Sequence, residues 1–152
     1  MMNKQDKWDV RFLKLARHVS LWSKDPSTKV GAIIVNNKKQ ILGIGYNGLA
    51  RNIKDDEERY NNREVKYRLI VHAEDNAIIN AKTDVSGCTL YSSLFCCCEC
   101  SKLIVQAGIT RVVAPVINKQ QFERFKESFD AAKLMFKEAN VTVKFIEEGD
   151  LQ

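Results

Sequence analysis

The 152-residue chain lacks any apolar run that approaches the roughly 20 residues needed for a membrane-spanning helix. Residues 1–7 also lack the apolar core of a signal peptide. We therefore expect no contact with a membrane and predict a cytoplasmic location. Internal repeats and low-complexity tracts are absent too, and the length predicts one domain, residues 1–152, with a full core.

Histidine is scarce, and cysteine is almost confined to one segment. The chain has two histidines, His18 and His72, and five cysteines, of which four lie within residues 96–100. A secreted disulfide framework would normally use an even number of cysteines spread along the chain. Clustered thiols with a distant histidine instead indicate metal ligands in a reducing compartment.

The formal net charge is +5, so anions are reasonable partners. Such a charge suits a nucleic acid or a phosphorylated small molecule, and it is equally consistent with a plain solvated surface. No basic helix is interleaved with aromatic residues, the pattern that would favour a nucleic-acid groove. We therefore do not expect nucleic acid to be the partner.

Hydrophobic periodicity alternates between the helical and the strand pattern. It predicts helices over 7–22, 72–81, 97–107 and 122–139, and strands over 30–35, 41–46, 89–94, 111–116 and 141–146. The charge-rich residues 49–68 are predicted to form a long loop with about one turn of helix. Gly43 and Gly45 indicate that a helix or a ligand packs closely on one strand face. The alternation predicts an α/β layered domain with a partly parallel sheet.

Two short segments carry the chemistry. Residues 71–79 contain His72 and Glu74, and residues 94–100 contain Cys97 and Cys100. A catalytic zinc takes three nitrogen or sulfur ligands and keeps one position open. Each segment is a predicted strand-to-helix junction, where the helix N-terminus stabilises a thiolate. The histidine and cysteines are candidate ligands, and this motif pair is the signature of zinc deaminases.

Other interpretations remain open at this point. A lone His-x-Glu pair arises by chance, and a lone Cys-x-x-Cys can be a redox pair or half of a structural zinc finger. A closed structural zinc would need a fourth ligand, which His18 could supply. Cys96 and Cys100 lie four residues apart and could also chelate, so Cys96 competes with Cys97. If the zinc is catalytic, Glu74 is predicted to take a proton from water and deliver protons to the substrate.

Four segments resemble the deoxycytidylate (dCMP) deaminases of the zinc-dependent cytidine/deoxycytidylate deaminase superfamily. They are residues 24–32, 43–48, 72–78 and 97–109. The Gly-Tyr-Asn-Gly segment and residues 99–109 favour this branch over nucleoside, tRNA-adenosine or riboflavin-pathway deaminases. The resemblance implies a three-layer α/β/α cytidine-deaminase-like fold with a central mixed sheet of about five strands.

The same resemblance implies hydrolytic deamination of dCMP to dUMP and ammonia, which supplies thymidylate synthesis. It implies a homohexamer, activation by dCTP, inhibition by dTTP, and Mg²⁺ accompanying the triphosphate. A deaminase of a nucleoside or of a tRNA base is the alternative, followed by a non-catalytic zinc module.

The family roles fall on individual positions of this chain. His72, Cys97 and Cys100 correspond to the Zn²⁺ ligands and Glu74 to the proton shuttle, while Cys96 stands where the family usually has proline. The substrate-binding candidates are Lys24, Thr28, Asn47 and Ala73, with Arg111 as a further phosphate candidate. The effector-binding candidates are Gly45, Asn47, Gly48, Asp55 and Glu58.

Overall fold

A mixed five-stranded sheet forms the centre of the structure, a computed structural model that describes residues 2–152. The strands in chain order are β1 (Gly31–Val35), β2 (Ile41–Tyr46), β3 (Gly48–Leu49), β4 (Ile70–Val71), β5 (Thr89–Ser92), β6 (Arg111–Pro115) and β7 (Thr142–Ile146). The central sheet has the order β2-β1-β5-β6-β7, and β3 pairs with β4 in a separate two-stranded sheet. Since β1 is antiparallel to its neighbours while β5, β6 and β7 are parallel, the predicted mixed sheet is confirmed.

Helices cover both faces of the central sheet. They are α1 (Lys4–Ser20), α2 (Glu57–Asn61), α3 (Arg63–Leu69), α4 (Ala73–Ala81), α5 (Cys98–Gln106) and α6 (Lys119–Glu138), followed by a 3₁₀ turn at Glu148–Leu151. One face packs against α1 and the 3₁₀ turn, and the other packs against α4, α5 and α6. The predicted three-layer α/β/α arrangement is therefore confirmed. Between residues 2 and 152, no helix combines the length and apolarity needed to cross a bilayer.

Residues 49–68 differ from the predicted loop, because they contain the two helices α2 and α3. Each helix begins at a side-chain cap: Asp56 accepts from the amide of Arg59, and Asn62 accepts from the amide of Val65. Helices of five and seven residues are too short to show an apolar repeat. The prediction failed because local capping, and not periodicity, defines these two elements.

The packing of α4 on β2 explains the alternating glycines. A Cβ added to Gly43 would lie 2.2 Å from the carbonyl oxygen of Ala77, and one added to Gly45 would lie 2.3 Å from that of Ala73. The helix backbone therefore occupies the space beside both glycines, and no room remains there for a nucleotide. Of the two alternatives that the sequence left open, the close neighbour is a helix.

A buried ionic cluster joins α1 to the sheet on the face opposite α4. Asp9, fully buried, accepts hydrogen bonds from the Tyr91 hydroxyl (2.7 Å), Arg111 Nη1 (2.8 Å) and Lys144 Nζ (3.0 Å). The prediction of Arg111 as a phosphate ligand is therefore wrong, because Asp9 binds its guanidinium on the sheet face that packs against α1. The sequence gives no sign of this pairing, since the two residues are 102 positions apart.

Candidate metal centre and pocket

Two helix N-termini meet at the candidate metal centre. His72 follows β4 and is the N-cap of α4, while Cys97 is the N-cap of α5. Both residues have extended backbone angles, so their side chains leave the helix at its first turn. The Cys97 sulfur accepts the backbone N–H of Cys100 at 3.5 Å, which supports negative charge on the sulfur.

The three candidate ligands lie within reach of one ion. His72 Nδ1 is 3.1 Å from Cys100 Sγ and 3.4 Å from Cys97 Sγ, and all three ligand atoms lie within 4.8 Å of one another. With usual zinc bond lengths and tetrahedral angles, nitrogen and sulfur ligands stand about 3.6 Å apart. The donor set and its spacing therefore fit one zinc ion with a fourth position open.

The protonation of the three side chains is strongly coupled. The hydrogen bond from Cys100 lowers the pKa of Cys97 to about 4, and the hydrogen bond to Cys97 raises the pKa of His72 to about 9. The neighbouring Cys97, together with burial, raises the pKa of Cys100 well above its usual value. A metal needs neutral imidazole and thiolate ligands, so binding it here would release protons.

Glu74 lies in the first turn of α4 and is buried, with 4% of its surface exposed. Burial raises the pKa of its carboxyl to about 7. The Ser92 hydroxyl lies 3.2 Å from Glu74 Oε1 and 2.7 Å from the carbonyl oxygen of Leu94. A hydroxyl both donates and accepts hydrogen bonds. Ser92 can therefore donate to the carboxylate form of Glu74 or accept from its carboxylic acid form. A carboxyl with a pKa near neutrality is suited to taking and giving a proton.

The other candidate ligands lie outside this cluster. Cys96 is fully buried in the apolar core, and burial raises the pKa of its thiol. His18 lies on α1 beside Trp22, with ring centroids 6.1 Å apart. In the part of the chain that the structure describes, the metal-ligating group at this point has three members, His72, Cys97 and Cys100. This arrangement favours an open site over a closed structural one.

A cavity of about 400 Å³ opens beside His72 and Cys97. Glu74 and the substrate-binding candidates Thr28, Asn47 and Ala73 line it. Asn47 accepts from the amide of Val30 (2.8 Å) and donates to the carbonyl oxygen of Thr28 (2.8 Å). Both ends of its amide are thereby engaged, and they fix the wall that residues 28–30 form.

Several lining residues were not predicted. They come from α3, α5 and α6 and are Lys66, Tyr67, Cys98, Arg124, Phe125, Ser128 and Phe129. The buried Lys66 ammonium donates to Asp25 (3.2 Å) and to the Ser27 hydroxyl (2.8 Å). Cys98 lies within the cysteine segment, but no motif marks the others, because α3 was predicted as loop and α6 follows the motifs by some 20 positions. The charge density of residues 49–68 was the available signal.

A second cavity, of about 500 Å³, lies beside α2. It is lined by Lys24, Pro26, Asp55, Asp56, Glu57, Tyr60 and Asn61. Lys24 pairs here with Asp55, at 2.6 Å, so the structure does not bring this substrate candidate to the first pocket. Of the effector candidates, Asp55 lines the second cavity, whereas Gly45 packs against α4.

The remaining effector candidates, Glu58, Gly48 and Asn47, do not line this cavity. Glu58 is exposed on α2, where its neighbour Glu57 faces the cavity instead. A Cβ added to Gly48 would lie 3.8 Å from the hydroxyl of Tyr60, which is a lining residue. Asn47 belongs to the first pocket.

Comparison with known proteins agrees with this geometry. A family model described as the cytidine and deoxycytidylate deaminase zinc-binding region matches residues 6–116. The chain is 42% identical over 148 residues to deoxycytidylate deaminase of Homo sapiens, covering 91% of this chain and 80% of that one. It is 38% identical over 140 residues to an uncharacterized deaminase of Aliivibrio fischeri, covering 92% and 94%.

Solved structures show the same architecture. The dCMP deaminase from the cyanophage S-TIM5, in complex with dCMP and dUMP, superposes with a TM-score of 0.72 at 25% sequence identity. The match covers 96% of this chain and 100% of that one. The fold that surrounds the cluster and pocket is therefore the fold of a nucleotide-binding relative.

Proposed function

The chain belongs to the cytidine and deoxycytidylate deaminase zinc-binding family, and from this premise we propose that it hydrolyses dCMP to dUMP and ammonia. The observation that carries the proposal is the buried Glu74 beside the cluster of His72, Cys97 and Cys100, at one wall of the first pocket. The similarity to named deoxycytidylate deaminases supports dCMP as the substrate. Its product would supply thymidylate synthesis.

His72, Cys97 and Cys100 would hold the zinc ion, since their spacing fits three of its four positions. When bound, zinc would supply the Lewis acidity that makes water a nucleophile at neutral pH. The cluster and Glu74 share the first turns of α4 and α5, so the acid–base group and the metal are placed together by the same two helices.

Glu74 performs the proton transfers in this proposal. Its carboxylate takes a proton from the water whose oxygen adds to C4 of the cytosine ring. The resulting carboxylic acid gives this proton to the ring nitrogen. The restored carboxylate then takes the proton of the new C4 hydroxyl and delivers it to the amino group, so that the C4–N bond breaks, ammonia leaves and C4 becomes a carbonyl. A pKa near 7 allows both directions, and burial excludes the bulk water that would compete for the proton.

The pocket supports a mononucleotide as substrate. Its volume of about 400 Å³ falls within the range of sites that enclose small ligands. Thr28, Asn47 and Ala73 line it together with the apolar rings of Phe125 and Phe129. Asn47 contributes by fixing residues 28–30 in place, because its amide is already hydrogen-bonded there.

An assay of ammonia release, with the ultraviolet shift of the base, tests the substrate. Purified zinc-loaded protein is incubated with dCMP and, separately, with deoxycytidine, CMP and adenosine. We expect dCMP to have the highest kcat/KM of the four. Turnover of another of these substrates without turnover of dCMP would reject the assignment and point to the nucleoside or tRNA branch.

We further propose allosteric control at the second cavity, with dCTP as activator, dTTP as inhibitor and Mg²⁺ bound with the triphosphate. The resemblance to dCMP deaminases motivates this, and Asp55 and Glu57 offer the carboxylate oxygens that Mg²⁺ prefers. Velocity against dCMP is measured with each triphosphate, in the wild type and in Asp55→Asn. Equal velocities with and without both triphosphates would remove this proposal and leave the substrate assignment intact.

A homohexamer is the proposed assembly, as the resemblance implies. Support comes from large apolar side chains that are exposed around the edge strand β2, namely Leu21, Trp22, Ile41, Tyr46 and Ile79. Sedimentation equilibrium at micromolar concentration is expected to give six times the mass of one chain. A stable monomer would contradict the proposal.

A cytoplasmic location is also proposed. The free, clustered thiols support it, because they suit a reducing compartment.

A further inference from the structure

Arg124 differs from the other charged side chains that line the first pocket. Lys66 is neutralised by the buried Asp25, and Glu99 pairs with Lys102 at 2.7 Å. For Arg124, by contrast, no carboxylate lies within 4.0 Å in the chain from residue 2 to residue 152. It is therefore the lining cation whose charge is left available to a ligand.

Two contacts hold the guanidinium of Arg124 in place. Its Nη2 donates to the Tyr67 hydroxyl at 3.3 Å, and its central carbon lies 4.8 Å from the centroid of the Phe125 ring. Tyr67 and Phe125 both line the pocket. A guanidinium has five N–H donors, and this hydrogen bond uses only one of them. The side chain is thus oriented by aromatic neighbours while most of its donors remain free.

The surroundings of Tyr67 strengthen the positive potential at this rim of the pocket. The guanidinium carbon of Arg63 lies 5.9 Å from the centroid of the Tyr67 ring. Helix α6 also departs from helical geometry at Phe125 (φ −121°, ψ 18°), directly after Arg124. The pocket thus contains two chemically different parts: the buried Glu74 beside the metal cluster, and the exposed, cationic Arg124.

We propose that Arg124 binds the 5′-phosphate of the substrate and thereby makes the pocket selective for nucleotides over nucleosides. The inference rests on the proposed function, since it takes the deaminated base to lie beside Glu74. A guanidinium can bind a phosphate through two parallel N–H···O hydrogen bonds, and this geometry favours arginine at phosphate sites. Tyr67 and Phe125 are positioning residues for Arg124.

Paired substrates separate a phosphate contact from a structural role. Arg124→Gln removes the charge, and Lys126→Gln is the control, because Lys126 is exposed on the same helix, pairs with Asp130, and does not line the pocket. Loss of one charge-assisted contact is expected to lower kcat/KM for dCMP roughly 10- to 100-fold, mainly through KM. The value for deoxycytidine should change less than about twofold, and the control should leave both values unchanged.

A binding measurement keeps the test independent of turnover. Calorimetry with dUMP is expected to show a Kd that rises by a similar factor in Arg124→Gln, with deoxyuridine binding unchanged. Equal losses for dCMP and deoxycytidine, or dUMP binding unaffected by the substitution, would overturn the proposal. A wild-type protein that binds dUMP but does not deaminate dCMP would remove the proposed function, while the calorimetric comparison still decides the role of Arg124.

Discussion

At the scale of single residues, the site depends on which side chains leave the first turns of α4 and α5. The sequence predicted His72, Glu74, Cys97 and Cys100, because their types and spacing match the needs of zinc chemistry. Residue type and spacing alone left Cys96 as a competitor of Cys97, since adjacent residues at a helix start differ mainly in the direction of the side chain, and the family resemblance favoured Cys97. The structure places Cys96 in the core.

Serine substitutions at these two cysteines are expected to have different effects. Cys97→Ser should lose bound zinc, because a hydroxyl is a poor substitute for the thiolate. Cys96→Ser should retain zinc and lose about 1–3 kcal/mol of stability, because it buries a hydroxyl in an apolar core. Zinc per chain and urea denaturation are measured for both variants. Full zinc content in Cys97→Ser would transfer the ligand role to Cys96.

Substitution of Glu74 separates catalysis from folding. Glu74→Gln keeps the size of the side chain and removes its ability to carry the proton. We expect turnover of dCMP to fall by about 10²- to 10⁴-fold, the usual contribution of a positioned acid–base group. Zinc content and the midpoint of thermal unfolding should stay at wild-type values. If turnover is retained, or if zinc and the fold are lost together with it, Glu74 is not the proton-transfer group.

At the scale of elements, periodicity predicted all five strands of the central sheet and the four long helices. It did not predict α2 and α3, whose starts depend on the caps Asp56 and Asn62. Tyr67 of α3 and Arg124 of α6, which line the pocket, were missed for a related reason. An apolar repeat identifies the buried face of a helix, whereas Tyr67 and Arg124 lie on exposed faces.

The close packing of α4 on β2 can be tested at Gly45. A Cβ there would lie 2.3 Å from two backbone atoms of α4, so Gly45→Ala must displace the helix that carries His72 and Glu74. We expect at least 1–3 kcal/mol of destabilisation and weaker zinc retention, as found for overpacked cores in general. Gly149→Ala is the control, because nothing lies within 4 Å of its added Cβ.

Urea denaturation and zinc retention against a chelator are measured for both glycine variants. A Gly45→Ala protein as stable as Gly149→Ala would show that α4 is free to shift. The helix would then not fix the positions of the metal ligands, contrary to the arrangement described here.

At the scale of the whole molecule, the cluster around Asp9 connects residues that are far apart in the chain. Asp9 on α1 meets Tyr91 on β5, Arg111 on β6 and Lys144 on β7. Pairings of this kind depend on strand order and on the position of α1 across the sheet. Sequence patterns indicate which face of an element is buried but not the order of the strands, so they could not show that Arg111 pairs with Asp9 and is not a phosphate ligand.

The Asp9 cluster predicts a pH dependence of stability. Burial opposes ionisation of Asp9, but hydrogen bonds from Arg111, Tyr91, Gln5 and Lys144 outweigh it, so its pKa is lowered below the usual value. A lowered pKa gives stabilisation that is full above the unfolded-state pKa of about 4 and is lost as the pH falls below it. Asp9→Asn should therefore cost about 3 kcal/mol at pH 7 and progressively less below pH 4.

The free energy of unfolding is measured by urea denaturation from pH 7 down to pH 2. Asp130→Asn is the control, because its carboxylate forms an exposed pair with Lys126 and should affect stability little. A difference between the wild type and Asp9→Asn that stays constant over the whole range would show that Asp9 does not carry this stabilisation.

The central claim is that three side chains hold a zinc ion on which deamination of dCMP depends. Its most direct test is ammonia release from dCMP by protein that has been stripped with a chelator and then titrated with zinc. We predict no release from the stripped protein and a rise that saturates at one zinc per chain. A protein that takes up no zinc, or that releases no ammonia from dCMP after zinc is restored, would contradict the account.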